Sequence, residues 1–506
     1  MKFIAILLLT CACAQSAAPV TDPSESSPPA PPASTPPADV PPADLVDAAA
    51  TVLYDVSPDG QSALVSHGNG DLWLVSRELA PVRLAAGEVD SATIIDGSFI
   101  SVTSATVAPR LLRLSDGADF SGTFEGGLVG FAGEWLYQVR EAPDGRWVAS
   151  RQRGLAGVPQ LLIEADPFAV DAATFDIVPH SPDGESYMTC PRGQKPCDMF
   201  FGGAAPPVPV PQPQLPALFS RDNRWVLIDC ALFGADGTSL QICAPEIDRQ
   251  AVFAANSATL AVTSKGSWVT VDLATHQMTQ LAPPPEKLGR LIALGLTPDG
   301  SRLSVRSLET TTESSSAEWM ISSRGGEWGF LANGSQSYVP ESSPDSRILA
   351  GTGYPEGVEL SVGGATPSTV TIDGKALDAV PPLFEPPGGH GRALFNTHPG
   401  DFASSADTVS ALGNADGSGD WVLLPPCKQL DTCSSSWAGH SVVSRSMVGG
   451  TFDDPRFDIF ATPANGKPVP LARNVRSSAF AGAVAPALMF IADAGGLYAV
   501  AIPQPE

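Results

Sequence analysis

A short phrase recurs along this chain of 506 residues and constrains its fold more than any other feature. It reads Ser-Pro-Asp-Gly or a close variant, followed within a few residues by aliphatic or aromatic side chains. Pro presets φ, Asp bonds back to the backbone and Gly adopts a positive φ, so the phrase suits a tight turn. A turn followed by an apolar strand is half of a β-hairpin. The copies begin at Ser57, Ala142, Ser181, Ser220, Thr297 and Ser343.

The copies are regularly spaced. Pro143 to Pro182 and Pro182 to Arg221 are both steps of 39 residues, and the other gaps are near one or two such steps. A period of about 40 residues with about four strands is typical of propeller blades. A β-sandwich with common turns is the alternative. Degenerate copies at the skipped positions are Ile95-Asp96-Gly97-Ser98 and Asn256-Ser257. Beyond Pro344 the pattern fades, although Pro386-Pro387-Gly388-Gly389 falls roughly one step further on.

Two stretches read as a strand, a tight turn, a strand with a central Trp, and a further strand. They run from Ala63 to Leu84 and from Thr259 to Leu281, with Trp73 and Trp268 at their centres. Here the chain resembles the TolB-like, WD-type family of β-propeller repeats, over most of residues 47–505. The resemblance implies an all-β propeller of four-stranded blades. It implies no particular activity, because such repeats serve scaffolds, sensors and enzyme accessory domains.

The length of the repetitive part predicts how many propellers there are. Residues 47–506 hold about eleven periods of ~42 residues, whereas single propellers usually close with four to eight blades. Two consecutive propellers are therefore expected, residues 47–284 and residues 285–506, joined near the Pro-rich stretch 283–287. One large propeller with insertions is the alternative.

The N-terminus predicts export. Residues 1–14 place Lys2 before a short apolar run, as in a secretory signal peptide. The run Leu9-Thr10-Cys11-Ala12-Cys13 fits a permissive bacterial lipobox with Cys13 as the lipidated residue; ordinary cleavage before Gln15 is the alternative. Residues 15–46 are rich in Pro, Ala and Ser, cannot bury a core, and are expected to form a disordered tether. We expect a periplasmic or outer-membrane-anchored lipoprotein, or a secreted protein.

The charge balance restricts the partners. The net charge is −25, from 54 acidic and 29 basic residues. Nucleic acids and anionic membrane surfaces reward clustered Lys and Arg, so neither is an expected partner, and contact with a membrane is expected only through the N-terminal lipid.

Six cysteines follow the signal region in three close pairs, each across an expected hairpin. In an exported protein they are expected to form local disulfides. Metal binding is the alternative, but no pair has Cys-x-x-Cys spacing and no His lies close by in sequence. The expected disulfides are Cys190–Cys197, Cys230–Cys243 and Cys427–Cys433.

Local signatures of catalysis are missing from the sequence: there is no Gly-x-Ser-x-Gly elbow, phosphate-binding loop or His-Glu-x-x-His motif. The six histidines are scattered. The one local candidate for a metal site is Asn414, Asp416, Ser418 and Asp420, whose alternating oxygens over a Gly-bent loop suit Ca²⁺, although the closing Glu of an EF-hand is missing. A plain turn between strands is the alternative, and no other cofactor is expected.

These features predict a lipid-anchored propeller that binds an envelope protein or a glycan and does not catalyse a reaction. The competing hypothesis is an extracytoplasmic hydrolase or lyase whose site is assembled in a propeller funnel. Convergence of acids, His or Arg from separate blades at one funnel mouth would favour the enzyme.

Overall fold

The computed structural model describes residues 40–505, and every regular element among them is a β-strand. Outside the description are residues 1–39 and 506, and the segments 41, 78–79, 88, 96–98, 105–109, 120–126, 133–134, 142–146, 154–159, 166–178, 190–195, 203–205, 244–248, 265–266, 283–289, 309–315, 335–339, 354–356, 373–374, 377–381, 398–408, 426–433, 452–453, 465 and 482–485. The expected signal peptide, Cys13 and nearly all of the expected tether therefore lie outside the described residues.

The strands are short, and turns or loops separate them. As far as residue 280 they are β1 (Asp44–Asp47), β2 (Ala50–Val56), β3 (Ser62–His67), β4 (Leu72–Ser76), β5 (Val82–Ala85), β6 (Ser91–Ile95), β7 (Phe99–Thr103), β8 (Arg110–Arg113), β9 (Gly127–Ala132), β10 (Trp135–Glu141), β11 (Trp147–Arg153), β12 (Gln160–Ala165), β13 (Tyr187–Thr189), β14 (Cys197–Phe200), β15 (Val208–Val210), β16 (Leu218–Phe219), β17 (Trp225–Ile228), β18 (Ala231–Gly234), β19 (Ser239–Gln241), β20 (Gln250–Phe253), β21 (Thr259–Ser264), β22 (Ser267–Asp272) and β23 (Gln277–Gln280).

The later strands follow the same pattern, and some are longer. They are β24 (Arg290–Leu296), β25 (Arg302–Leu308), β26 (Ser316–Ser322), β27 (Gly329–Gly334), β28 (Glu341–Ser342), β29 (Ile348–Gly353), β30 (Gly357–Val362), β31 (Ser368–Thr369), β32 (Thr371–Ile372), β33 (Lys375–Ala376), β34 (Leu383–Phe384), β35 (Arg392–Thr397), β36 (Val409–Asn414), β37 (Val422–Leu423), β38 (Ser434–Ala438), β39 (Ser441–Gly450), β40 (Pro455–Pro463), β41 (Val469–Ala481), β42 (Ala487–Ala492) and β43 (Leu497–Ala501).

Consecutive strands pair antiparallel into small meanders, as in propeller blades. Four-stranded sheets are β2–β5, β9–β12, β16–β19, β20–β23 and β34–β37, while β6–β8 and β13–β15 form three-stranded sheets. A larger sheet joins β24–β27 to β28–β31 through the pair Gly334–Gly353, and β32 pairs with β33. The remaining sheet contains β38–β43 together with β1. The all-β propeller expected from the repeats is therefore supported.

The N-terminal strand completes the sheet at the other end of the chain. β1 pairs antiparallel with β43, with Asp44 opposite Ala499. The sheet formed by β2–β5 then packs on this last sheet, because Val56, Val65, Met489 and Ile491 share one buried cluster. The first and last sheets of the chain are therefore neighbours, as closure of a propeller requires.

Neighbouring sheets pack face to face through side chains that alternate along each strand. The contact between the sheet β9–β12 and the sheet β13–β15 includes an arginine between two aromatic rings. The guanidinium of Arg151 in β11 lies between the rings of Trp135 and Tyr187, 3.9 and 4.0 Å from their centroids. Arg151 also donates to the carbonyl of Gly184, as does the hydroxyl of Tyr137. Burial there raises the pKa of Tyr137 to about 12.

The packing continues across the expected boundary between two propellers. Residues 283–289 lie outside the described residues, but Trp268 and Leu281 before them share a buried cluster with Leu303 and Val305 after them. Residues 38–506 form one compact unit. The number of blades, and their division into one propeller or two, stays a prediction.

None of the residues that the structure describes forms a helix long and apolar enough to cross a membrane.

Candidate functional site

The recurring phrase folds into one kind of turn, which we name after its first residue. In the Ser57 turn, the hydroxyl of Ser57 accepts from the amide of Ser62 at 2.9 Å and donates to the Asp59 carboxylate at 2.5 Å. Asp59 in turn accepts from the amide of Gln61, and these bonds to its charged form hold the pKa of Asp59 below its usual value. The Ser181, Ser220, Thr297 and Ser343 turns repeat this arrangement.

The fourth position of each described turn has a positive φ, and the Ala142 copy of the phrase lies outside the described residues. Gly60, Gly184 and Gly300 occupy it with φ between 68° and 72°, without cost because they lack a Cβ. The other turns place a side chain there: Asn223, Ser257 and Ser346, with φ of 60°, 56° and 62°. A β-carbon in this region is strained, so a compensating contact is expected.

That contact is a hydrogen bond to the preceding turn. Asn223 donates to the Asp183 carboxylate at 2.5 Å. The hydroxyl of Ser257, in the Ala254 turn, accepts from the amide of Asp222 at 3.1 Å. The hydroxyl of Ser346 accepts from the amide of Asp299 at 2.8 Å.

Where Gly300 occupies the position, the backbone supplies the link, since the amide of Asn256 donates to the carbonyl of Pro298 at 3.0 Å. Hydrogen bonds thus connect successive turns from the Ser181 turn to the Ser343 turn. We call these bonds the turn links.

The next turn departs from the pattern. In the Glu385 turn, the pairing of first and last residues is kept, because the amide of Glu385 donates to the carbonyl of Arg392 at 2.9 Å. The turn is two residues longer than the others, and a carboxylate replaces the hydroxyl. Its positive-φ positions are Gly388 and Gly391, which have no side chain. Among the described residues, no hydrogen bond joins this turn to the Ser343 turn.

A cleft of about 430 Å³ opens where this link is missing. One wall is the Ser343 turn, the other is the Glu385 turn, and the turn after β36 closes one side. Its lining includes the charged and polar side chains Asp345, Arg347, Glu385, His390, Arg392, Asn414 and Asp416, and the apolar Pro344, Ile348, Phe384, Pro386 and Pro387.

Three carboxyl groups, two guanidinium groups and one imidazole line the cleft. Hydrogen bonds from the hydroxyl and the amide of Ser418 lower the pKa of Asp416, and the Arg347 guanidinium adds to this. Burial acts to raise the pKa of Asp345, but bonds from Ser343 and Arg347 outweigh it and the pKa is lowered. Both carboxylates are therefore ionised at neutral pH. Burial lowers the pKa of Arg392.

The expected calcium loop borders this cleft. Asn414 ends β36, and Asp416 and Ser418 follow in a turn with Gly417 and Gly419 at positive φ. The Asp416 carboxylate accepts from the amide and the hydroxyl of Ser418 at 3.0 and 2.6 Å, while Asn414 Oδ1 accepts from Arg392 at 3.2 Å. A guanidinium beside a candidate ligand oxygen opposes a cation, so the contacts favour the plain turn. Calcium binding by Asn414, Asp416, Ser418 and Asp420 stays a prediction.

The structure describes three of the six cysteines that were expected to form disulfides. Cys230 and Cys243 form a disulfide with their Cα atoms 5.0 Å apart, which ties the start of β18 to the end of β19. Cys197 is buried at the start of β14 and takes part in a disulfide, but Cys190 lies outside the described residues. Cys427 and Cys433 also lie outside them.

The described histidines lie in different parts of the structure, and only His390 and His440 lie beside Glu385. His67 bonds Asp47 at 2.8 Å, His180 stacks on Tyr137, and His276 contacts the edge of Trp225. His390 lines the cleft, and His440 contacts Glu385 from the following turn at 3.2 Å. His398 lies outside the described residues.

Sequence reasoning missed Glu385, although its signal was present. The degenerate copy Pro386-Pro387-Gly388-Gly389 marked a turn, and the residue before it occupies the place of the usual Ser. A Glu at a position that is otherwise a buried hydroxyl could have been noticed. That its carboxylate is 1% exposed could not, because burial depends on the neighbouring sheets.

No family model and no curated protein matches the chain. Solved structures match at low identity. A eukaryotic initiation factor is 12% identical with a TM-score of 0.46, covering 88% of this chain and 99% of its own. Dipeptidyl peptidase 4 of Porphyromonas gingivalis is 11% identical with a TM-score of 0.35, covering 73% and 66%.

An oligogalacturonate lyase of Vibrio parahaemolyticus is 12% identical with a TM-score of 0.28, covering 63% of this chain and 91% of its own. At these scores the likenesses carry no argument about function.

Proposed function

We propose that this chain is an exported, lipid-anchored propeller of TolB-like, WD-type repeats, and that it binds an envelope protein or a glycan in the cleft between the Ser343 and Glu385 turns. The observation that carries the proposal is the cleft between the Ser343 and Glu385 turns, two successive turns that no hydrogen bond between described residues joins. Its volume of about 430 Å³ falls within the ~300–1,000 Å³ of typical ligand pockets.

The cleft offers groups that can recognise a ligand. Asp345 and Asp416 each use one carboxylate oxygen within their own turn, and no described residue donates to the other oxygen. The Arg347 guanidinium likewise makes no hydrogen bond to a described residue. Donors and acceptors beside apolar proline rings suit a ligand that presents both polar and apolar faces.

Capture from an envelope extract tests the binding site. The immobilised protein should retain a component that the double variant Arg347→Ala/His390→Ala retains at least about tenfold less, because two side chains at the cleft are lost. The matched control is Arg221→Ala/Arg224→Ala, which removes two exposed arginines from the linked Ser220 turn. Equal capture by the wild type and both variants would place binding elsewhere or disprove it.

Lipidation is tested separately. Labelling with a fatty-acid analogue should mark the wild type and spare Cys13→Ala. Equal labelling of both, or a mature N-terminus at Gln15, would remove the lipid anchor from the proposal and leave the cleft untouched.

The enzyme alternative makes a different prediction. Turnover in a screen of hydrolase and lyase substrates, lost on changing a single acid or His of the cleft such as Asp345 or His390, would replace binding by catalysis as the function of the same site.

A further inference from the structure

The Glu385 turn has the same hydrogen-bond pattern as the other turns, but the pattern spans a longer loop. In the Ser57 turn, the bond from an amide to the first side chain spans five residues, from Ser62 to Ser57. In the Glu385 turn the equivalent bond spans seven, from the amide of Arg392 to Glu385 Oε2 at 3.1 Å. A carboxylate lies two bonds farther from the backbone than a hydroxyl, so it can reach across the larger loop.

The carboxylate also fixes the middle of the loop. Glu385 Oε2 accepts from the amide of His390 at 2.8 Å as well. A Cβ added at Gly389 would lie 2.1 Å from Glu385 Oε1, so the loop backbone is packed directly on the carboxylate. A glycine at position 389 therefore leaves room for the Glu385 carboxylate inside the loop.

The second oxygen joins the loop to the following sheet instead of the preceding one. Glu385 Oε1 contacts His440 Nδ1 at 3.2 Å. The amide of His440 donates to Gln504 Oε1 at 2.7 Å, and Gln504 donates to the carbonyl of Ala438. The Glu385 turn is thus tied to the turn between β38 and β39 and, through it, to the C-terminal segment.

We propose that Glu385 is the positioning residue of the cleft: it holds the loop 385–392 towards His440, and so keeps it from closing onto the Ser343 turn. The proposal rests on the proposed function, because it concerns the same cleft. Glu385 does not itself need to touch the ligand, since its side chain is 1% exposed and both of its oxygens are engaged.

Amide hydrogen exchange of the free protein tests the positioning directly. In Glu385→Ala, the amides of His390 and Arg392 should exchange at least about tenfold faster, because they lose a charged acceptor. Glu385→Gln keeps an acceptor oxygen of similar reach and should retain most of the protection. Ser57→Ala is the matched control: it removes the equivalent acceptor from a turn outside the cleft, so exchange should rise at Ser62 and remain unchanged at 388–392.

Unchanged amide exchange at His390 and Arg392 in Glu385→Ala would overturn the proposal. If Glu385→Ala does not fold, the exchange rates of Glu385→Gln decide instead. The amides of His390 and Arg392 in Glu385→Gln should then exchange within about threefold of the wild-type rate. A tenfold or greater increase in Glu385→Gln would contradict the proposal that the acceptor oxygen of residue 385 holds the loop.

Capture separates this proposal from the proposed function. Glu385→Ala should lower capture about tenfold and Glu385→Gln should restore it, while Ser57→Ala leaves it unchanged. Capture lost in Arg347→Ala/His390→Ala but unaffected in Glu385→Ala would retain the binding site and refute the positioning role. Capture unaffected in every variant would refute the binding site, while the exchange rates would still decide whether Glu385 holds the loop.

Discussion

The Ser343 turn and the Glu385 turn follow one another along the chain and are tied to opposite neighbours. The Ser343 turn places a side chain at its positive-φ position, and Ser346 reaches back to the amide of Asp299. The Glu385 turn has glycines at those positions and reaches forward, from the carboxylate to His440. Two turns tied away from each other leave a cleft between them.

The difference shows that a side chain at positive φ links its turn to the preceding one. Gly is the residue of lowest strain at such a position. Asn223, Ser257 and Ser346 accept strain there, and each gains a hydrogen bond to the preceding turn. Where the side chain is missing and no backbone link replaces it, adjacent sheets are left unlinked at this position.

The largest expected effect comes from the buried carboxylate. Glu385→Ala should lower the free energy of unfolding by about 3 kcal/mol, because two part-buried amides lose a charged acceptor. Ser220→Ala, which removes one neutral acceptor from the linked Ser220 turn, should cost about 1–2 kcal/mol. Urea denaturation of both variants measures the difference. A smaller loss for Glu385→Ala than for Ser220→Ala would show that the two turns are not built on the same plan.

A second prediction concerns the disulfide of the linked region. Replacing both Cys230 and Cys243 by Ala should cost about 2–3 kcal/mol, since the bridge closes a loop with a sequence separation of 13. Exchange should rise at the amides of Ile242 and Cys243 and stay unchanged in the Glu385 turn. Free thiols at both positions in the native protein would contradict the structure here.

A third, smaller effect distinguishes the backbone strain at positive φ from the stabilisation by the turn links. Replacing a strained residue at positive φ by Gly is normally neutral or stabilising. Asn223→Gly and Ser346→Gly should instead destabilise by about 0.5–1 kcal/mol, because each loses its turn link. Asn474→Gly is the control: Asn474 has a φ of 51°, and among the described residues the hydrogen bond recorded for it is made by its backbone amide, to Asp458. Thermal unfolding compares the three variants, and equal shifts in all of them would remove the links as a source of stability.

The smallest expected effect is a pH dependence in the linked turns. Burial acts to raise the pKa of Asp183, but hydrogen bonds from Ser181 and Asn223 outweigh it, so the pKa in the folded protein lies below the ordinary Asp value of 3.8. The associated stability is present above pH 3.8 and is lost as the pH falls through the lower folded value. Asn223→Gly should therefore lose less stability between pH 7 and about pH 3 than the wild type, as urea midpoints would show. A larger loss would mean that Asn223 does not favour the ionised Asp183.

Local chemistry explains what the sequence predicted of the fold. Pro, Asp and Gly set the turn by their own dihedral preferences, so the Ser57 and Ser181 turns could be placed from sequence. Cys230 and Cys243 could be paired because their hairpin is local. Blade number could not be read in this way, because the seven strands β38–β43 and β1 share one sheet and β41 belongs to two neighbouring meanders.

The cleft was beyond sequence because it depends on contacts between residues far apart in the chain. Asn414 and Asp416 were noticed for their alternating oxygens, but the Arg392 guanidinium beside Asn414 and the neighbouring Ser343 turn were not visible. Likewise, Glu385 and His440 lie 55 residues apart, and only the packing of consecutive sheets brings them together.

A double-mutant cycle tests the central claim, that turn links, most of them made by side chains, join successive turns and that no such link crosses the cleft between described residues. The first cycle combines Asp183→Ala with Asn223→Gly, and the second combines Asp345→Ala with His390→Ala across the cleft. Urea denaturation should give a coupling of at least about 0.5 kcal/mol for Asp183 and Asn223, and about zero for Asp345 and His390. Equal coupling in the two cycles, or none for Asp183 and Asn223, would contradict the account.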